Sequence, residues 1–359
     1  MAEAATSFSL IGKTLARDVF NAHGLLLLTA GSVLSRPDIN LLLSHKIAAV
    51  DITASSEMHF TSLQQSENVD TQIESLLAKR GAAETYTNAM ALTKELFAKV
   101  TEVYIPPLRQ FTDAFFPLLN QVMKETGLLT PIYLLEGSEK YTYRHSINVG
   151  ILSALIAKLM DRTPEEIILL GQAGLMHDVG KMLIPQNILM KPDRLTPEEF
   201  DIMKQHTVLG AKILSSMEGT NEVIVQSALL HHERRNGTGY PQGRKGAEIP
   251  IESQIVGVAD VFDAICSDRV YKTRTSPYEA AQLLWQQTLD GLLNPEIVTR
   301  FINYIATLYV GCQAMLTDGT QVEVVLIHVD EPMRPLVRRG EEYLDLRKHR
   351  SLSIEKMIS

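Results

Sequence analysis

Five histidines and two aspartates between residues 145 and 260 are the groups in this chain best equipped for chemistry. They are His145, the adjacent pair His177-Asp178, His206, the doublet His231-His232, and Asp260. Imidazole and carboxylate are the usual protein ligands of zinc, iron and manganese. With no cysteine among them, the set points to a catalytic rather than a structural metal site. Seven groups exceed the roughly four to six donors that surround one such ion. Two ions sharing a carboxylate would use them all, and such pairs, roughly 3.5–4 Å apart, stabilise both the attacking and the leaving oxygen in phosphoryl transfer. The mixed nitrogen and oxygen donors suit iron or manganese at least as well as zinc, and residue types alone do not choose among them.

Each member also has a plainer reading. His177-Asp178 closes the apolar run Ile167 to Met176, just before Gly180, which places it at a helix end. The helix dipole favours a cation there and explains His177, but the same dipole disfavours Asp178. A metal explains both. The doublet follows the apolar stretch Val223 to Leu230. Neighbours on a helix point about 100° apart, so both rings reach one centre only if it lies close to the helix. One inward and one outward histidine is the alternative. Asp260 follows the apolar run Ile255 to Ala259, where an isolated charge is costly and calls for a cation or metal.

The elements that must position these groups are mainly helical. From residue 126 to about 305, three helix starts share one form: Thr163-Pro164-Glu165-Glu166, Thr196-Pro197-Glu198-Glu199 and Ser276-Pro277-Tyr278-Glu279. The hydroxyl accepts from the third amide, the glutamate bonds back, and proline at the first helical position loses nothing. Helical signals also dominate from Ile73 to Lys124, with Pro106-Pro107 and Pro117 expected to interrupt them. Residues 54–75 read as a polar linker leading into a helix start. Residues 8–53 read as a strand-rich unit, with Leu25 to Leu28 and Ala48 to Ile52 as strands and a short helix within Pro37 to Lys46. After 305 the pattern turns to strand: Gln321 to Val329 follows the turn dipeptide Asp318-Gly319, and Arg334 to Leu346 could pair with it as a hairpin around Arg339-Gly340. The expected division is 1–53, a small β-rich unit; 54–125, linker and helical connector; 126–305, an all-helical bundle; and 306–359, a second small β-rich unit. The fold class is mainly α.

A net charge of −8 opposes general nucleic-acid binding, which shows as a basic excess, but leaves room for a small anion in a local cationic pocket. Cys266 and Cys312 are too few for a disulfide framework, so a reduced, cytoplasmic setting is expected. The first residues, MAEAATSFSLIGK, lack the basic start and apolar core of a signal peptide. The longest mostly apolar stretch, Ile147 to Ala157, is broken by Asn148 and Ser153 and is too short to cross a bilayer. No membrane insertion is expected. Apolar residues at helical spacing within 73–124 suit a core, or pairing with a second copy as a homodimer.

The order His145, His177-Asp178, Asp260 resembles the H…HD…D metal signature of the HD phosphohydrolase superfamily. HDVGKMLIP (177–185), KPDRLTPEEF (191–200), HHERRNGTGYP (231–241) and VADVFDAICSDRVYK (258–272) resemble the HD-GYP subfamily. The resemblance covers about half the chain. It implies an all-helical, metal-dependent phosphodiesterase that opens cyclic di-GMP to pGpG and, in many members, onward to GMP. Residue by residue, it implies one ion held by His145, His177, Asp178 and Asp260, and a second held by His206, His231 and His232, with Asp178 shared. A hydroxide bridging two iron or manganese ions would attack phosphorus, and Lys181 would hold a phosphate oxygen. Asp263, Arg269 and Lys272 match positions expected to contact the nucleotide; two cations suit a dianionic substrate. Gly237, Gly239, Tyr240 and Pro241 form the GYP loop, expected beside the site with no chemical role for Tyr240. Tyr141 stands where some members carry a glutamate tied to a third metal, so two ions are expected. Leu183 and Asn236 depart from the family's frequent glycine and aspartate without removing a ligand. Two other readings are a non-catalytic cyclic-dinucleotide receptor acting through protein contacts and a hydrolase of another cyclic dinucleotide. The complete ligand set opposes the receptor.

Overall fold

The computed structural model describes residues 82–124, 141–266 and 276–358 and, in pieces, 2–7, 10, 13–20, 26–28, 32, 34, 38–39, 42–43 and 47–52. Ten α-helices lie among the described residues between 82 and 307. They are α1 (Ala82–Ala98), α2 (Leu108–Lys124), α3 (Tyr141–Leu159), α4 (Pro164–Met176), α5 (Gln186–Leu189), α6 (Pro197–Ser215), α7 (Glu222–Leu230), α8 (Ile251–Cys266), α9 (Pro277–Leu289) and α10 (Pro295–Thr307). A short 3-10 helix, Val179–Leu183, joins α4 to α5.

The organising element is α3. Every residue from 145 to 157 on it is buried, as expected of a helix apolar on all sides at the middle of a bundle. Helices α4 and α8 pack along it, and α10 adds Val298, Phe301 and Ile302 at helical spacing. One apolar cluster runs from Tyr86 on α1 to Ile305 on α10. Phe97 of α1 meets Phe111 of α2 edge-on at 5.4 Å and Tyr143 of α3 at 6.0 Å.

All three expected capping boxes are present. Thr163, Thr196 and Ser276 each accept from the third backbone amide, and Glu166, Glu199 and Glu279 each accept from the cap residue's own N–H. Pro117 does not interrupt a helix: it sits inside α2. Pro117 and Asp113, the residue whose carbonyl loses its N–H partner, are both exposed, while buried Phe115, Leu118 and Leu119 hold the helix to the core.

The N-terminal pieces contain β1 (Ala2–Ala5) paired antiparallel with β4 (Ala49–Ile52), and β2 (Val19–Phe20) paired with β3 (Leu26–Leu28). Residues 38–39 and 42–43 are helical, inside the expected short helix. The linker expected at 54–75 lies outside the described residues. At the C-terminal end, β5 (Gln313–Leu316), β6 (Gln321–Leu326), β7 (Leu336–Arg339), β8 (Glu342–Asp345) and β9 (Ile354–Ile358) form one antiparallel sheet in the order β8-β7-β6-β5-β9. The Arg339-Gly340 hairpin is there as β7–β8. Strand β6 stops at Leu326, short of Val329, which is largely exposed in the loop beyond. Val322 and Val324 alternate inward beside Ala314, Leu316 and Tyr278 of α9.

Loss of one cap should be measurable. Thr196→Ala removes the acceptor for Glu199 N–H and is expected to cost about 1 kcal/mol. For a chain of 359 residues that corresponds to roughly 1–2 °C in Tm, read by circular dichroism, with Thr163→Ala and Ser276→Ala behaving alike.

Candidate metal centre

Five helices and their ends bring the seven groups together. His145 projects from the first half of α3, and Asp260 from α8. His177 is the C-cap of α4, and Asp178 follows it at the start of the 3-10 helix. His206 lies on α6; His231 caps the C-terminal end of α7 with His232 after it. Two glycines permit the necessary approach. A side chain at Gly180 would collide with the His206 carbonyl, and one at Gly257 would lie 2.6 Å from the His231 carbonyl. Backbone contact at these points draws Asp178 to α6 and Asp260 to the histidine doublet.

The donors fall into two groups: His145, His177 and Asp260 form one, and Asp178, His206, His231 and His232 the other. Asp178 faces both. Its Oδ2 lies 3.2 Å from His177 Nε2 and 3.6 Å from His145 Nε2; its Oδ1 lies 3.3 Å from His206 Nε2 and 3.8 Å from His231 Nε2. Asp260 spans the site similarly, with Oδ1 3.1 Å from His145 Nε2 and Oδ2 3.6 Å from His232 Nδ1. Two donors each about 2.1 Å from a common ion stand about 3.0–3.5 Å apart at ordinary coordination angles, so these separations suit shared ions better than direct hydrogen bonds.

Ring orientation points the same way. His177 Nδ1 lies 2.7 Å from Gly174 O, His206 Nδ1 2.7 Å from Met203 O, His231 Nδ1 3.0 Å from Ala228 O, and His145 Nδ1 2.7 Å from Asp263 Oδ2. A carbonyl or carboxylate only accepts, so Nδ1 carries the proton and each Nε2 lone pair is turned to the centre. His177 Nε2 and Asp178 Oδ1 are buried without a hydrogen-bond partner. An orphaned buried acceptor costs about 1–3 kcal/mol, more for a charged group, and a cation bound between them removes that cost. The donor set is of the kind that holds divalent metal.

Electrostatics keep the donors in ligating form. Burial would raise Asp178, but His177 and Lys181 outweigh it and hold the carboxyl well below the usual range. Burial also opposes ionisation of Asp260, and its bond with His145 and the nearby His232 reverse that. Burial lowers His206 to about 4 and His232 to about 3, and holds His231 well down. His145 is the exception: burial alone would lower it, yet Asp260 and Asp263 lift it to about 10.

Lys181 contacts Asp178 Oδ2 directly and keeps a partly exposed side chain at the rim. The GYP loop does lie beside the site. The Tyr240 ring rests on His232 at 4.6 Å and meets Phe200 at 6.2 Å. Asp263 is buried behind His145, with Oδ2 on the His145 ring and Oδ1 accepting from Asn148 Nδ2 at 2.9 Å, contacts that orient that ring. Arg269 and Lys272 lie outside the described residues. Two contributors escape a reading of residue types. Glu233 is buried and accepts from Gln242 N at 2.7 Å and Arg244 N at 3.0 Å, pinning the loop that carries Tyr240. Asn148 holds Asp263; its signal is the spacing of one helical turn from His145.

A family model described as HD domain matches residues 130–297. That segment is similar to the HD domain family. The Cyclic di-GMP phosphodiesterase of Thermotoga maritima is 40% identical over 219 residues, covering 59% of this chain and 55% of the relative. The Cyclic di-GMP phosphodiesterase of Pseudomonas aeruginosa is 33% identical over 227 residues, 63% of this chain and 54% of the relative. A 3'3'-cGAMP-specific phosphodiesterase of Vibrio cholerae is 31% identical over 163 residues, 45% of this chain and 35% of the relative. The chain thus spans about half the length of the first two relatives. Among its described residues, no helix is long and apolar enough to cross a membrane.

The histidines predict a pH optimum of stability for metal-free protein. His206 and His232 titrate near 4 and 3 when folded, against an ordinary 6.5. Below 6.5 the unfolded chain binds protons that the folded chain refuses, so stability falls on acidification. His145, raised to about 10, contributes fully below 6.5 and loses its contribution as pH rises toward 10. Calorimetry of chelator-treated protein should show Tm highest near pH 6.5 and falling on both sides; a flat profile from 4.5 to 6.5 would rule out the buried neutral histidines.

Proposed function

We propose that the chain is a metal-dependent phosphodiesterase that hydrolyses cyclic di-GMP to pGpG and onward to GMP. The observation that carries this reading is Asp178, which turns one carboxylate oxygen to each donor group. The names of the relatives from Thermotoga maritima and Pseudomonas aeruginosa supply the substrate. The working unit would be residues 126–305, with 1–53, 54–125 and 306–359 as flanking parts.

Two ions, iron or manganese in preference to zinc, would be held as one by His145, His177, Asp178 and Asp260, and one by Asp178, His206, His231 and His232. When bound they supply an activated water and offset charge on the phosphoryl oxygens. The protein's own groups do the rest. Asp263 and the backbone carbonyls behind the rings keep Nδ1 protonated and Nε2 aimed inward on His145, His177, His206 and His231. Lys181, paired with Asp178 and partly exposed, is the cation available to a phosphate oxygen at the rim. Arg269 and Lys272 would add charge against a dianionic ligand. Tyr240, stacked on His232, walls the site against bulk water.

A second reading keeps the hydrolase and changes the substrate to a mixed purine cyclic dinucleotide, as the name of the Vibrio cholerae relative suggests. Protein purified without oxygen and loaded with manganese or ferrous iron is expected to turn over cyclic di-GMP faster than 3'3'-cGAMP, with products resolved by chromatography. Full metal occupancy with no turnover of either substrate would sink the enzymatic reading in favour of a receptor. Asp178→Ala should abolish activity and lower the metal content of both groups by elemental analysis. Retention of two ions per chain would refute the shared carboxylate.

A further inference from the structure

Tyr86 lies on α1, outside residues 130–297 of the HD domain match, yet it reaches the back of the metal centre. Its phenol donates to Asn148 Oδ1 at 3.1 Å; Asn148 Nδ2 donates to Asp263 Oδ1 at 2.9 Å; and Asp263 Oδ2 accepts from His145 Nδ1 at 2.7 Å. All four residues are buried. The directions are fixed by chemistry. A carboxylate only accepts, so Asn148 must turn its amide nitrogen to Asp263, which leaves its oxygen for Tyr86 and makes the phenol the donor.

This arrangement singles out one histidine. His177, His206 and His231 are each anchored to a carbonyl on their own helix, one turn back. His145 is held by a side chain, and that side chain by another, which ends on α1. Displacing α1 would therefore disturb the ring of His145 while leaving the other three anchors in place. Neighbouring Phe97 holds the same helix by ring packing alone, on Phe111 and Tyr143.

We infer that Tyr86 is a positioning residue for the donor group of His145, His177 and Asp260, acting through Asn148 and Asp263 on the His145 ring. The inference rests on the metal reading above. It makes α1 a part of the site's outer support, and a route by which whatever moves α1 would tune one ion and not the other.

The test uses the full chain with Tyr86→Phe, which removes one hydroxyl and keeps the ring, beside Phe97→Leu as a packing control. In metal-free protein, nitrogen–proton NMR of the histidine rings reads the chain directly, with the His145 signal assigned by its loss in His145→Gln. Tyr86→Phe is expected to shift the His145 Nδ1–H resonance and leave those of His206 and His231 unmoved; Phe97→Leu should not reproduce that pattern. Manganese titration followed by electron paramagnetic resonance should then show one ion bound about tenfold more weakly, the lower end for loss of an outer partner, and the other unchanged within about twofold. An unmoved His145 resonance, equal weakening of both ions, or the same changes in Phe97→Leu would each overturn the proposal. Wild-type protein that binds no manganese while Tyr86→Phe still moves the resonance would overturn the metal reading instead, and with it the positioning role.

Discussion

The placement of a carboxylate where water cannot reach it is the constraint that the rest of the site answers to. Asp178 is almost fully buried, at the junction of α4 with the 3-10 helix, and an ionised group there is unfavourable without cations on both sides. Lys181 supplies charge along its own segment, and His177 faces one of its oxygens; His206 and His231 face the other from α6 and α7. The glycine at 180 exists for the same end, because only a residue without a side chain lets that segment lie against the His206 backbone. Remove the demand of this one charge and the close approach of α6 has no electrostatic purpose.

The scaffold divides the labour between two kinds of anchor. Backbone carbonyls fix three histidine rings, and they are as rigid as the helices that own them. Side chains fix His145, in a line of polar groups threaded through an otherwise apolar cluster. Buried polar networks of this sort are costly when incomplete and specific when complete. Glu233 works similarly at a different place, holding the irregular stretch between α7 and α8 by two backbone amides so that Tyr240 can lie over His232.

Much of this was legible in the residues. The capping boxes are local and self-contained, so Thr163, Thr196 and Ser276 announce their helices without help from the fold. The seven donors stand out because histidine and aspartate at the ends of apolar runs need a cation. Asp263 was harder: a carboxylate one turn past Asp260 shares its helix face, and residue type does not reveal that it sits on the His145 ring. Pro117 misled for the opposite reason, since its local cost is real but the packing of Phe115, Leu118 and Leu119 on either side outweighs it. Strands β5 and β9 escaped notice because each is short and gains its meaning only from the neighbour it pairs with.

The apolar cluster that begins at Tyr86 and ends at Ile305 ignores the boundary that the HD domain match draws at residue 130. Phe97, Phe111, Phe115 and Leu118 belong to the same interior as α3 and α4. A fragment trimmed to the matched segment would carry a raw aromatic-sized hollow on the flank of its central helix. For this chain the unit of folding and the unit of family likeness are different lengths, and only the longer one closes the packing around α3.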